Sequence, residues 1–122
     1  TGIEHARLAQ QISLPGEPPA LLSGGELTVQ LTCENGRGGP NLEYLAAFAQ
    51  HIEAKTSYTA IAGDSDGIDG TEDNAGAYID TTSLNRCREK QINFEDLRRT
   101  HRTYEIFERL GELIVTVPTL TN

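Results

Sequence analysis

Three stretches of this chain combine residue types and spacings that could do chemistry. In Gly36-Arg37-Gly38-Gly39, three glycines in four positions stand directly ahead of Pro40. Glycine lets backbone N–H groups come close to an oxyanion. A helix starting at Pro40 adds about half a positive charge at its N-terminus, and Arg37 offers a bidentate fork. Together they could form an anion cradle for a phosphate or a carboxylate. A flexible turn that happens to carry an arginine has the same pattern. The stretch is neither a phosphate loop ending in Gly-Lys-Ser/Thr nor a dinucleotide fingerprint.

The second stretch, residues 64–73, places five acids in ten positions: Asp64, Asp66, Asp69, Glu72 and Asp73. Carboxylate oxygens at that density could hold Mg²⁺ or Ca²⁺, with Asp66 and Asp69 as ligands. The EF-hand register fails, because Ile68 stands where the third loop ligand belongs. A solvated acidic turn bonded to its own backbone is the plainer alternative. The third stretch, Ser23-Gly24-Gly25-Glu26, could present a hydroxyl and backbone amides to a ligand, although a bulge that needs glycine has the same look. It is not a nucleophile elbow, and no Ser-His-Asp arrangement is visible. His5, His51 and His101 show no zinc spacing and are expected on helices, at the surface or half-buried. Cys33 and Cys87 are isolated in sequence and are expected to be reduced, partly buried thiols.

These stretches need elements to hold them. Ile3, Ala6, Leu8, Ala9 and Ile12 recur near helical spacing, and 15–19 is a proline-rich linker. The apolar run 20–23 is expected to be a short buried strand, and 27–32 alternates as a strand with one polar face. Leu42, Leu45, Ala46, Phe48, Ala49 and Ile52 predict a helix over 40–54. Residues 58–62 predict a buried strand, and 77–79 a weak strand or turn. Thr82 is expected to cap a helix over 83–90. Two short helical pieces follow at 94–99 and 104–110, the second stopped by Gly111, and 113–117 closes the chain as a strand. Such alternation predicts a single α/β domain: a small mixed sheet with helices packed on it. The glycine-rich and acidic loops border strands, where sheets of this class place their sites.

A length of 122 residues suits one domain with a modest core. The 37% apolar and 23% charged content belongs to an ordinary globular chain, and no run reaches the roughly 20 apolar residues of a membrane span. A net charge of −8 and only seven aromatics argue against nucleic acid, whose binding rests on basic side chains and stacking.

Four segments occur in order: Ser23-Gly-Gly-Glu-Leu-Thr-Val, Gly36-Arg-Gly-Gly-Pro-Asn-Leu-Glu, Asp66-Gly-Ile-Asp-Gly-Thr-Glu-Asp-Asn-Ala-Gly-Ala, and Leu110-Gly-Glu-Leu-Ile-Val-Thr-Val-Pro-Thr-Leu-Thr-Asn. The series resembles the MOFRL domain at the C-terminus of glycerate 2-kinases, proteins often also labelled hydroxypyruvate reductases. The resemblance implies that 1–122 is the C-terminal part of a two-domain enzyme, with 1–19 as helix and linker and 20–122 as the domain body. It implies ATP-dependent phosphorylation of the 2-hydroxyl of D-glycerate, with Mg²⁺, in a cleft against a larger N-terminal α/β domain, in the cytoplasm. On this likeness Arg37, Asn41 and Glu43 are the catalytic candidates. Ser23, Gly24, Gly25, Glu26, Gly36, Gly38, Gly39, Thr119, Thr121 and Asn122 are the substrate- and phosphate-binding candidates, and Asp66 and Asp69 approach the metal. The sequence departs from the family pattern at Pro40, Leu42 and Leu120, where Arg, Gln and Gly are usual, which leaves Arg37 as the expected cation. The chain starts without Met and ends in a polar turn, so it is expected to be part of a longer protein, inactive alone, with no tightly bound cofactor and weak self-association through a face that met the absent domain. Whether it forms a homodimer is left open. A nicotinamide-dependent hydroxypyruvate reductase, and a non-enzymatic module binding anions or a partner, remain alternatives.

Overall fold

The computed structural model describes residues 2–12, 20–22, 24, 39–52, 56–64 and 74–116. In chain order they form α1 (Gly2–Ile12), α2 (Pro40–His51), β1 (Thr59–Gly63), β2 (Gly76–Asp80), α3 (Ser83–Glu89), α4 (Phe94–Arg99), α5 (Thr103–Leu110) and β3 (Leu113–Ile114). The strands make one sheet in the order β1-β2-β3, and both pairings are antiparallel. Helices packed on a small sheet in one α/β domain are the architecture the alternating pattern predicts.

Helix α2 is the central element and touches α1, β1, β2 and α5. Pro40 begins it at no cost, since the first turn needs no N–H there. Three alanines, Ala46, Ala47 and Ala49, give it high propensity and let neighbours approach. Leu42, Leu45, Ala46, Phe48 and Ala49 are buried. They meet Ile79 and Ala77 of β2 and Ile106, Phe107 and Leu110 of α5 in one cluster. Each large side chain so buried contributes roughly 1.5–3 kcal/mol. In β1, Ala60 and Ala62 turn toward the helices while Ile61 stays 71% exposed. Gly76 has a steric reason: a Cβ there would lie 1.9 Å from the Ala62 carbonyl oxygen, so no larger residue allows this approach of β1 and β2.

The last three helices end with the same device. After α3, Gln91 (φ 58) and Ile92 donate their amides to the carbonyls of Arg88 and Cys87; after α4, His101 (φ 57) and Arg102 donate to Arg98 and Leu97. After α5, Gly111 (φ 74) and Glu112 donate to Glu108 and Phe107. These are Schellman closures, each with a left-handed residue just past the helix. Only Gly111 is the residue type that adopts such a φ freely.

Several local expectations change. Ala20–Leu22 form no strand and are exposed, Leu22 at 93%, so the run is not buried. Three apolar residues are too few to specify a strand, and single exposed apolar residues are common. Thr82 stands at the N-cap of α3 without a capping side-chain bond. Instead the Asp80 carboxylate accepts from the Thr82 amide at 2.8 Å and the Thr82 hydroxyl at 2.6 Å, so an Asx turn opens the helix. β3 is limited to Leu113–Ile114, with Val115 60% exposed beyond it. The expected strand 27–32 lies outside the described residues.

Candidate functional site

The short connection from α2 to β1 decides which end of the sheet each helix terminus faces. Ala49 of α2 and Ile52, just past its end, line a crevice of about 90 Å³ with Tyr58, Thr81 and Leu84. Phe48 meets Tyr58 edge to face, with ring centroids 5.4 Å apart. The C-terminus of α2 therefore sits where β1 starts, and its N-terminus faces the opposite end, where β1 finishes. In register, Gly63 pairs with Gly76, and Gly76 with Ile114. Four junctions with the candidate stretches thus gather at one end: Gly39 after 25–38, Asp64 and Asn74 on either side of 65–73, and Thr116 before 117–122. The backbone ties three of these strands' ends together, with the Asp64 amide donating to Ala75 at 2.9 Å and the Ala75 amide to Ile114 at 2.7 Å.

At this end Gly39 is buried and extended (φ −105, ψ −174) at the N-cap of α2, with no side chain capping it. The Glu43 amide closes the first turn onto the Gly39 carbonyl at 3.1 Å. The Glu43 carboxylate, 14% exposed, is held from across the fold. Oε1 lies 3.2 Å from His101 Nδ1 and accepts from the Thr103 hydroxyl at 3.5 Å. His101 and Thr103 flank the start of α5, so the α4–α5 turn is bonded to the first turn of α2. On the next position, the Tyr44 hydroxyl lies 2.6 Å from His5 Nδ1 of α1, and burial raises the Tyr44 phenol above its usual range. Asn74 is fully buried. Its Nδ2 donates to the Gly76 carbonyl at 3.1 Å, while Oδ1 has no partner among the described residues.

The opposite end holds a second carboxylate. Glu112 is 1% exposed, takes bonds from the Ser83 hydroxyl at 3.2 Å, and pairs with Arg86 at 3.0 Å. Burial pushes its carboxyl above the usual 4.5, outweighing the Arg86 and Ser83 bonds that act the other way. Burial, with repulsion from Asp80 and Glu112, pushes the Tyr58 phenol up to about 12. The Asp80 carboxyl is held low by its two bonds from Thr82. Cys87 is a buried free thiol pushed up by burial, so it is a packing residue and not a nucleophile.

The structure therefore places Gly39, Asn41 and Glu43 together at the start of α2. Asn41 is half-buried in its first turn, and Gly24 is exposed, with nothing within 4 Å of where a Cβ would stand. Ser23, Gly25, Glu26, Gly36, Arg37, Gly38, Asp66, Asp69, Thr119, Thr121 and Asn122 lie outside the described residues, as does Cys33. Among the described residues no trio of His, Cys, Asp or Glu is grouped to hold a metal ion. No described helix is long and apolar enough to cross a membrane. Of the histidines, His5 and His51 are on helices as expected, but His101 is in a turn. Its partner is 58 residues away, a pairing no local spacing announces.

The sequence profile of the MOFRL family matches residues 19–122. A protein of Agrobacterium vitis, provisionally named a hydroxypyruvate reductase, is 46% identical over 116 residues, 93% of this chain and 26% of that protein. The glycerate 2-kinase of Pyrococcus horikoshii is 39% identical over 109 residues, 88% of this chain and 24% of the kinase. The crystal structure of glycerate kinase from Thermotoga maritima superposes with a TM-score of 0.82 at 26% identity, over 99% of this chain and 30% of that one. The chain spans about a quarter of the length of the curated relatives it matches. The chain belongs to the MOFRL family.

Proposed function

We propose that this chain is the C-terminal domain of a glycerate 2-kinase. It forms one wall of an interdomain cleft in which ATP, with Mg²⁺, phosphorylates the 2-hydroxyl of D-glycerate. The observation that carries the proposal is the gathering of the α2 N-terminus, both junctions of the acidic stretch and the exit of β3 at one end of the sheet. Phosphoryl transfer demands placement and neutralisation of developing charge more than a covalent nucleophile. The positive end of the α2 dipole and Arg37 meet that demand for a phosphate or for the glycerate carboxylate. Asn41 and Glu43 orient these groups. Asp66 and Asp69, in the stretch whose flanking residues Asp64 and Asn74 stand at that end, are the family-pattern candidates for the metal. The preceding domain supplies the other wall and most of the nucleotide contacts, so the chain alone turns nothing over.

The test is a coupled ATP-consumption assay on the full-length protein with D-glycerate and Mg²⁺, alongside Arg37→Ala. Glycerate-dependent turnover is expected, with kcat/KM about 10²–10³-fold lower in the variant, the usual effect of removing one donor to a transition-state anion. The name carried by the Agrobacterium vitis relative favours one other activity. NADH oxidation with hydroxypyruvate and no phosphorylation of glycerate would overturn the kinase in favour of a reductase.

A further inference from the structure

The geometry points to His101 as a positioning residue for the anionic substrate, acting through Glu43 on the first turn of α2. This rests on the kinase reading for the identity of the anion, but the contact itself does not. His101 is left-handed (φ 57) at the closure of α4, a conformation that histidine and asparagine adopt more readily than most residues. From there its Nδ1 reaches Glu43 Oε1 at 3.2 Å, and the Thr103 hydroxyl reaches the same oxygen at 3.5 Å. Gln91 has the same backbone geometry after α3, yet it is exposed and makes no such reach. The left-handed turn is thus a general way of ending these helices, and the bond to Glu43 is particular to His101.

Two consequences for an anion follow. Glu43 is a carboxylate in the first turn of the helix whose positive end faces the site, and left unpaired it would repel an incoming phosphate or carboxylate. Bonds from His101 and Thr103 commit one of its oxygens to the α5 side. Glu43 also closes the first turn through its amide onto Gly39, so holding its side chain holds the backbone that leads out of the glycine-rich stretch. Such supporting partners typically change ligand handling by about 10–100-fold when removed.

The experiment uses the full-length protein with His101→Gly and His101→Asn. Glycine suits the left-handed φ and deletes the side chain, so the variant keeps its turn. Asparagine suits the same φ and places an amide nitrogen where Nδ1 stood. The expected result is an approximately tenfold fall in kcat/KM in His101→Gly, carried mainly by a higher KM for glycerate, with recovery to within about threefold in His101→Asn. Amide exchange of the segment 39–47, followed by mass spectrometry, is expected to quicken in His101→Gly and to return in His101→Asn. Equal kinetics in wild type and His101→Gly, or equal damage in both variants, would overturn the role. If wild type turns over no glycerate while the exchange pattern holds, the kinase reading fails and the positioning of α2 by His101 stands. Unchanged exchange in His101→Gly would sink the positioning itself.

Discussion

The two ends of the sheet each carry a carboxylate held by a hydroxyl and a basic side chain, and they use the same parts differently. Glu112 is 1% exposed, clasped by Ser83 and by Arg86, which is permanently charged. Glu43 is 14% exposed, clasped by Thr103 and by His101, whose charge depends on protonation. Glu112 stands where α5 turns into β3, with both partners on α3, so its bonds join three elements that close the core. Glu43 stands at the mouth of α2, at the end of the sheet that carries Gly39 and both junctions of the acidic stretch. A buried carboxylate with an arginine fixes a fold, because removing either partner strands a charge. A half-buried carboxylate with a histidine leaves the fold nearly indifferent to its loss and the helix start sensitive to it.

The largest effect that separates the ends is expected from Arg86→Ala. It leaves Glu112 buried without its cation and should cost about 3 kcal/mol in denaturant unfolding, with kcat of the folded fraction unchanged. A fall in kcat with full stability would erase the distinction. Next, the same end should show itself in pH. The Glu112 carboxyl is raised on folding, so the folded state holds its proton more tightly than the unfolded chain. Its contribution to stability is complete below the ordinary value of 4.5 and is lost as pH rises through the higher folded value. The unfolding free energy of wild type relative to Glu112→Gln should therefore fall as pH rises from 4 upward. Parallel curves would show that the carboxyl is not raised.

At the other end, Glu43→Ala should lower kcat/KM about tenfold while costing under about 1 kcal/mol of stability. Added to it, His101→Gly should cost nothing further, since Glu43→Ala already removes the bond that His101 makes. Additive losses would separate the two residues. The smallest expected effect is in the matched turn: Gln91→Gly relieves a left-handed glutamine and should stabilise by about 0.5 kcal/mol with no kinetic change.

Much of this was legible in the chain. Pro40 and the apolar spacing after it marked α2, Gly111 marked the end of α5, and the alternation of helix and strand gave the α/β class. The resemblance was carried by ordered loop motifs, which is where functional side chains of such domains reside. What was not legible had physical causes. A Schellman closure on glycine is visible in sequence, but the closures at Gln91 and His101 use residues whose left-handed preference is far weaker than that of glycine. The pairing of Glu43 with His101, and of Glu112 with Ser83 and Arg86, depends on how α5 and α3 settle against α2 and the sheet. Local periodicity holds no record of contacts at that separation. The Ala20–Leu22 run misled because apolar identity alone says nothing about burial when only three residues carry it.

The most direct test of the division between the ends is amide exchange on the full-length protein with and without D-glycerate, Mg²⁺ and a non-hydrolysable ATP analogue. Added protection is expected in segments containing 39–45 and 74–76, with Ser83–Glu89 and Glu112 unchanged. Protection concentrated at Ser83–Glu89 and Glu112, or no change near Gly39 and Asn74 in a protein that turns over glycerate, would contradict the placement of the site at the start of α2.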